Sequence, residues 1–241
     1  MNPTFDATFR AHFRDLVLWR RDVRRFRADP LERARIDALL EVASHAPSVG
    51  LSQPWRFVHV VSPERRAAVV ASFTAANERA LAGYAGEKQA IYAGLKLAGL
   101  KEAPVHLAVF SDDTTHTGSG LGQQTMPETL HYSVVAAIQT LWLAARADGI
   151  GMGWVSILDP AAVTRVLDVP AGWSLVAYLC LGVPAEEHLD PELERHHWEQ
   201  RTNAEAVTAP VFVLAGLDRA EQGVDPGSVE FRSMVVYCQS D

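Results

Sequence analysis

The sequence has little cysteine, no long apolar run and none of the short motifs that mark familiar catalytic sites. Its 241 residues include two cysteines, Cys180 and Cys238, with no CxxC or HExxH spacing. We therefore expect no disulfide framework and no metal site, and a cytoplasmic location is the default. Because no run of about 18 apolar residues occurs, no membrane-spanning helix is expected. A secretion signal and the G-x-S-x-G turn of many hydrolases are also missing from the sequence.

Charge is distributed unevenly along the chain. The formal net charge of -7 argues against a general nucleic-acid binder. However, seven arginines lie between Arg10 and Arg27. Residues 202–241 hold six acidic and two basic residues, so they carry -4 of the total and the preceding 201 residues carry -3. The part of the chain that contains the arginines is therefore less acidic than the total indicates.

Apolar periodicity predicts helices interspersed with short strands. Hydrophobic residues make up 48% of the sequence, which is ample for a folded core. We predict helices near 5–19, 30–46, 63–81, 87–99, 125–148 and from 160, and strands near 55–61, 105–110, 150–157 and 173–183. Four helix N-terminal caps are predicted: Asp29, Ser62 and Asp159, each followed by proline, and Thr125, which has capping-box spacing to Glu128. The strongly apolar helix 125–148 is expected at the centre of the core or in a dimer interface.

The predicted elements form one domain and a tail. Residues 1–201 contain no repeat and no proline-rich linker, so they are expected to form a single α+β domain. Residues 202–241 are predicted to be a C-terminal arm or a partly disordered tail. Within that tail, 211–217 and 229–237 have the composition of strands.

Arginines around one acidic residue form the first candidate site. Arg20, Arg21, Arg24 and Arg25 flank Asp22 directly after the first predicted helix. Guanidinium groups bind phosphate or carboxylate oxygens through two parallel hydrogen bonds, so this segment fits an anion site. A solvated run of charges that pair with each other is the alternative, and composition alone favours it.

Three glycine-containing stretches and two cations are further candidates. Residues 46–55 form either an ordinary structured loop or one whose backbone approaches a flat ligand. Glycines in the predicted strand 150–157 indicate a bulge or a ligand against the backbone. Residues 118–122 are expected to form a flexible loop, and no dinucleotide-binding pattern is present. Arg201 is a second candidate anion ligand and Lys96 a weaker one, whereas His196 and His197 are expected on the surface.

In combination, these segments resemble the FMN-dependent nitroreductase superfamily. The resemblance rests on the segment Arg20–Arg24, on Pro47 and Ser48 before a Gln-Pro-Trp sequence, on Gly153 in its glycine-containing strand, and on Arg201. Ordinary nitroreductases typically have serine where Asp22 stands. Aspartate at this position, with Ala46–Gly50 and Gly153–Ile157, resembles the 5,6-dimethylbenzimidazole synthase family.

This resemblance implies both a fold and an activity. The implied fold is nitroreductase-like α+β, with a central, mostly antiparallel sheet flanked by helices, in a homodimer with intertwined arms. The implied activity is conversion of reduced FMN, with dioxygen as co-substrate, to 5,6-dimethylbenzimidazole and erythrose 4-phosphate. FMN sites lie at the subunit interface in this family. The reduced FMN is supplied free or by a separate flavin reductase, and neither nucleic acid nor membrane is a partner.

The resemblance also implies roles for individual residues. Asp22 and Ser156 correspond to the catalytic pair. The residues that correspond to FMN ligands are Arg20, Arg21, Asp22, Val23, Arg24, Pro47, Ser48, Lys96, Gly153, Ser156 and Arg201. The neighbouring arginines are expected to favour the ionised form of Asp22 by charge. A general base at Asp22 is the role that fits its carboxylate.

Two departures from the family pattern and three alternatives remain open. Gln123 stands where arginine is expected, and this change is expected to loosen a lid or a phosphate contact. The tail after Arg201 is longer than the short C-terminal end that is usual in the family. A conventional FMN-dependent NAD(P)H nitroreductase or dehalogenase acting on an external substrate is the main alternative. A flavin or phosphate sensor without catalysis is another. A nucleic-acid role rests on the arginines alone and predicts steeply salt-dependent binding.

Overall fold

The computed structural model describes residues 4–202 and shows an α+β fold. Its helices are α1 (Ala7–Trp19), α2 (Arg33–Ser44), α3 (Pro63–Ala82), α4 (Gly86–Gly94), α5 (Thr129–Ala147), α6 (Pro160–Leu167) and α7 (Glu192–Arg195). Its strands are β1 (Trp55–His59), β2 (Val105–Asp112), β3 (Gly151–Val155) and β4 (Trp173–Gly182), and a 3-10 turn covers Val49–Leu51. No helix in this part of the chain is long and apolar enough to cross a membrane.

Two helices begin with the side-chain caps that their sequences indicate. The Ser62 hydroxyl accepts a hydrogen bond from the Arg65 N–H at 3.2 Å and starts α3. The Asp159 carboxylate accepts from the N–H groups of Ala161 and Ala162 and starts α6. In both helices proline follows the cap, where its missing N–H carries no cost.

The other two predicted caps were wrong because their side chains have closer partners. The Asp29 carboxylate pairs with Arg27 at 2.7 Å, and α2 begins only after an extended stretch. The Thr125 hydroxyl donates to the Gly122 carbonyl, and α5 begins without a side-chain cap. The fourth helix is also shorter than predicted, since α4 ends at Gly94.

The four strands form one antiparallel sheet in the order β1-β2-β4-β3. Trp55 in β1 lies opposite Ser111 in β2, and Gly153 in β3 lies opposite Cys180 in β4. The predicted antiparallel sheet flanked by helices is therefore confirmed. Both edge strands, β1 and β3, offer backbone groups to neighbouring segments.

The core has one apolar layer on each face of the sheet. Helix α5 packs against α2 and the sheet, and it buries Val134, Ile138 and Leu141 completely. The central position predicted for this helix is confirmed. On the other face, α3 and α6 cover Tyr178 and Cys180, so the predicted burial of this cysteine is also confirmed.

The main compact unit ends at Trp198, and residues from Glu199 onward belong to a second unit. The predicted strands over 211–217 and 229–237 lie outside the described residues. Of the predicted arm or tail, 202–241, only Thr202 is described.

Candidate functional site

The acidic residue of the arginine segment is anchored on the edge strand β3. Asp22 forms a bridge with Met152, and the Val23 N–H donates to the Met152 carbonyl at 3.0 Å. The Asp22 Oδ1 atom accepts a hydrogen bond from the Trp154 N–H at 2.8 Å. The unpaired backbone edge of β3 therefore fixes both the segment and its carboxylate.

Glycine in β3 is required by this close approach. A Cβ atom at Gly153 would lie 2.2 Å from the Val23 carbonyl oxygen, and one at Gly151 would lie 2.9 Å from the Val23 side chain. The predicted bulge is not found in the register of β3 with β4, and a ligand near Gly153 stays a prediction. The group against the strand backbone is the chain's own arginine segment.

The arginines hold several different partners. The Nε atom of Arg24 donates to the Asp22 Oδ2 atom at 2.8 Å, and its Nη1 atom donates to the Lys96 carbonyl at 3.1 Å. Arg21 donates to the Leu189 carbonyl at 2.6 Å. The guanidinium of Arg20 lies 4.6 Å from the centre of the Trp142 ring. Arg24 and Asp22 thus pair with each other, as the alternative of a self-paired charge run predicts, but they are not the solvated pair that it describes.

A second segment, residues 183–195, runs alongside the first. The Arg27 N–H donates to the Val183 carbonyl at 2.9 Å, and the Ala185 N–H donates to the Arg25 carbonyl at 3.0 Å. The Arg25 guanidinium pairs with Glu192 at 2.8 Å and with Glu186 at 2.9 Å. These backbone and ionic contacts hold the two segments together.

Between the two segments lies a cleft. Its lining includes Arg21, Asp22, Trp142, Arg146, His188 and Arg195. The indole Nε1 atom of Trp142 is buried and has no hydrogen-bond partner among residues 4–202. Guanidinium groups beside tryptophan rings fit an anionic, aromatic molecule, because guanidinium binds phosphate and aromatic surfaces stack. The residues present therefore suit a phosphate-bearing flavin.

Burial changes the chemistry of the Asp22 carboxyl. Its removal from water raises the pKa of Asp22 above the ordinary value, against the lowering effects of Arg24 and of the Trp154 N–H. Nearby Glu192 raises this pKa further. As predicted, the charge of Arg24 favours the ionised form of Asp22, but desolvation outweighs it and the net shift of the Asp22 pKa is upward.

The two other candidates near Asp22 differ in their surroundings. Ser156 directly follows β3, is exposed, and makes no side-chain hydrogen bond within residues 4–202. Two residues of chain place it within roughly 7 Å of Trp154, the residue that anchors Asp22. The Lys96 ammonium pairs with Glu102, whereas the Lys96 carbonyl accepts from Arg24. Lys96 thus contributes its backbone to the arginine segment.

Pro47 and Ser48 lie in a different part of the molecule. The Ser48 hydroxyl accepts from the Gln53 N–H, and the Val49 N–H donates to Ser133 in the first turns of α5. Arg20 instead contacts Trp142, nine positions further along the same helix, which corresponds to about 14 Å. Within a single chain, the loop that contains Pro47 and Ser48 is therefore not adjacent to the arginine segment.

The loop around Pro47 is tightly shaped. Leu51 and Gln53 have φ values of 55° and 44°, a left-handed conformation that is uncommon outside glycine. A Cβ atom at Gly118 would lie 2.4 Å from the Gly50 carbonyl oxygen. The stretch 118–122, predicted as a flexible loop, is a series of turns packed on this one. The half-buried Gln123 follows it, and its effect on a lid stays a prediction.

Arg201 and the histidine pair are exposed. His196 and His197 are exposed on the surface, as predicted. Arg201 belongs to the second unit of the chain, so its role as an anion ligand stays a prediction. Within the described residues no group of three or more His, Cys, Asp or Glu side chains is placed to hold a metal ion.

Sequence reasoning missed Glu192 and Trp142 as parts of this site. Glu192 lies in a stretch with five acidic residues between 186 and 194, which complements the N-terminal arginines in charge. That complementarity was the available signal. Trp142 sits among core residues of α5, and its sequence pattern is that of buried packing.

Comparison with known proteins identifies the family. The model of the nitroreductase family matches residues 17–183. The chain is 58% identical over 199 residues to a 5,6-dimethylbenzimidazole synthase from Rhodospirillum rubrum, covering 83% of this chain and 94% of the relative. It is 48% identical over 201 residues to a protein of the same name from Rhodobacter capsulatus, covering 83% and 97%.

A solved structure shares the fold. The crystal structure of oxidized iodotyrosine deiodinase bound to FMN and 3-iodo-L-tyrosine has a TM-score of 0.66 and 24% identity, and the match covers 83% of this chain and 100% of the other. At this identity the likeness concerns the fold alone. On the family match and the two close relatives, the chain belongs to the nitroreductase family and, within it, to the 5,6-dimethylbenzimidazole synthases.

Proposed function

We propose that the chain converts reduced FMN and dioxygen to 5,6-dimethylbenzimidazole and erythrose 4-phosphate. The observation that carries the proposal is the Asp22 carboxyl, which is anchored on β3 and has a raised pKa. Relatives with 58% and 48% identity that are named for this product support the same activity. Reduced FMN is then the substrate, and a separate reductase or the free pool supplies it.

The arginine segment is proposed to hold the flavin. Arg20, Arg21 and Arg24 would bind the phosphate and the ribityl chain, with Arg201 completing the set. Guanidinium groups suit this task because they present several N–H donors in a fixed plane. Val23, Gly153 and Lys96 lie at or beside this segment through the contacts described above.

When bound, reduced FMN supplies the electrons that dioxygen takes up and the ring atoms of the product. Asp22 is proposed to accept a proton from a ribityl carbon, a role that typically contributes 10²–10⁴-fold to the rate. The Trp154 N–H and Arg24 occupy one lone pair on each carboxylate oxygen, so each oxygen can accept a further hydrogen bond. Ser156 is proposed to orient the reacting group or relay a proton through its exposed hydroxyl.

Two copies of the chain are proposed to share each flavin site. Pro47 and Ser48 precede β1, whereas Asp22 lies on β3 at the opposite edge of the sheet. Three strand spacings separate these edges, which amounts to roughly 14 Å. A homodimer that places the Ser48 loop of one copy against the arginine segment of its partner would complete the site.

One aerobic incubation with reduced FMN tests the proposed activity. Chromatography is expected to show 5,6-dimethylbenzimidazole formed together with loss of the flavin. If the flavin is recovered intact in its oxidised form, the proposal fails and the nitroreductase or dehalogenase alternative gains support. The second arm supplies NAD(P)H and a nitroaromatic compound, and little turnover is expected there.

A further inference from the structure

A carboxylate outside the arginine segment reaches its interior. Glu192 opens the short helix α7, and its side chain is only 8% exposed. Its Oε1 atom pairs with Arg25 at 2.8 Å, and its Oε2 atom lies 4.0 Å from the Nη1 atom of Arg24. Buried carboxylates require partners, and these two arginines supply them. Glu192 is thus part of the same ionic network as Asp22.

The backbone holds Glu192 in this place. The His196 N–H donates to the Glu192 carbonyl at 3.0 Å and closes the turn of α7. Arg21 donates to the Leu189 carbonyl, three residues earlier, so the segment is tied to the arginines on both sides. These backbone hydrogen bonds therefore fix the position from which the Glu192 side chain reaches the arginines.

We infer that Glu192 is a positioning residue: its buried carboxylate shares the Arg24 guanidinium with Asp22 and thereby sets how readily Asp22 takes up and releases a proton. The inference rests on the proposed function only in assigning a proton-transfer role to Asp22. It adds a residue that is not among the proposed flavin ligands but pairs with one of them, Arg24.

The charges around Asp22 explain this effect. The ionisable groups that face it are Arg24 from its own segment, Glu192 from α7 and Cys180 from β4. Burial raises the pKa of the Cys180 thiol, so that group stays neutral. Arg24 is the cation that pairs with Asp22, and Glu192 both draws on it and adds a like charge. Each effect favours the protonated form of Asp22.

The chain offers a matched control for this role. Glu186 also pairs with Arg25, at 2.9 Å, but no pairing joins it to Arg24. The substitutions Glu192→Gln and Glu186→Gln therefore remove the same charge from the same arginine. Only Glu192→Gln also removes a carboxylate that lies beside the Arg24 guanidinium.

The test measures the protonation of Asp22 directly. Carboxyl ¹³C NMR of the full-length chain without flavin, assigned by the signal missing from Asp22→Asn, reports the titration of this group. Glu192→Gln is expected to lower the pKa of Asp22 by about 0.5–1 unit, and Glu186→Gln by less than about 0.2 unit. The acidic limb of the pH profile of product formation should move in the same direction in Glu192→Gln.

The outcomes separate the two proposals. An unmoved Asp22 titration in Glu192→Gln, or an equal shift in Glu186→Gln, overturns the role of Glu192. If Glu192→Gln does not fold, Glu192→Ala replaces it as a second variant that removes the charge, and an Asp22 pKa that is unchanged there overturns the inference as well. A chain that forms no 5,6-dimethylbenzimidazole yet shows the expected shift contradicts the proposed function and leaves the positioning role supported.

Discussion

The two regions that supply candidate flavin ligands are built on different physical principles. The charged region comprises residues 20–27 and 183–195, and ion pairs hold it together. The loop region comprises residues 47–53 and 118–133, and close backbone contacts shape it. In the charged region, Glu192 and Arg24 have side chains that are 8% and 12% exposed. In the loop region, Leu51 and Leu121 are 70% and 73% exposed.

The difference in side-chain exposure between the two regions bears on how the proposed flavin site is assembled. Charge can be buried in the charged region because the carboxylates of Asp22 and Glu192 have guanidinium or N–H partners. The loop region instead presents apolar side chains to solvent, which is typical of an interaction surface. In the proposed dimer, the loop region of one copy meets the charged region of its partner.

The largest expected effect comes from Asp22, the proposed catalytic carboxylate of the charged region. Asp22→Asn retains an oxygen for the Trp154 N–H, so the segment should remain anchored and flavin should still bind. Product formation is expected to fall at least about 10²-fold, because an amide cannot accept the proton. Chromatography of the product and fluorescence titration with FMN measure the two properties. Asp29→Asn, in an exposed pair with Arg27, is the control and should retain activity.

Ser156→Ala separates chemistry from binding in the same region. Its hydroxyl makes no hydrogen bond within the described residues, so its removal should not alter stability. We expect flavin binding to persist and product formation to fall by about 10²-fold or more. Unchanged activity would show that Asp22 acts without this hydroxyl.

Gly153→Ala tests how the charged region is attached to the sheet. The new Cβ atom would lie 2.2 Å from the Val23 carbonyl oxygen, and backbone on both sides cannot easily move. A loss of about 1–3 kcal/mol in unfolding free energy is expected, with weaker flavin binding. At Gly94 a Cβ atom meets nothing within 4 Å, so Gly94→Ala should be neutral or slightly stabilising. Urea denaturation of both variants measures the difference.

A buried histidine in the sheet, His106 in β2, should make the stability of the fold depend on pH. Burial lowers the pKa of His106 to about 4, and its Nδ1 atom lies 3.0 Å from the Tyr178 hydroxyl. Between pH 6.5 and about 4 the unfolded chain binds a proton at His106 that the folded chain does not bind. Stability should therefore fall as the pH falls through this window, by up to about 3 kcal/mol.

Two variants assign this slope to His106. His106→Gln cannot titrate, so urea denaturation at pH 5 and pH 7 should differ less than in the native chain. Tyr178→Phe removes the hydrogen bond but keeps the imidazole, so it should lower stability and preserve the slope. A slope that is retained in His106→Gln would assign it to other groups.

A smaller effect is expected in the loop region. Gly50 and Gly86 both have positive φ values, 56° and 58°, so alanine at either position costs about 1 kcal/mol or somewhat more. Only at Gly50 does the new Cβ atom also approach another segment, at 2.8 Å from the Leu121 carbonyl oxygen. Gly50→Ala should therefore be the more destabilising of the two. Equal losses would show that the contact between these turns contributes little.

The sequence predicted the fold better than it predicted the electrostatics of the site. The apolar period of α5 and the alternation in β4 identified core elements that the structure confirms. Helix starts were predicted correctly where Ser62 and Asp159 precede proline. They were wrong where Asp29 and Thr125 had other partners, because a capping pattern does not show which acceptor or donor lies closer.

The sequence by itself determined the α+β architecture, the clustering of arginines around Asp22 and the likeness that singled out this residue. These follow from local periodicity and from residue types that stand close together in the chain. Only the tertiary structure decided that β3 anchors Asp22, that Glu192 enters the network from about 170 positions away, and that the Asp22 pKa is raised. Desolvation and long-range pairing depend on which surfaces meet in the folded chain, and the residues that are adjacent in the sequence do not indicate which surfaces these are.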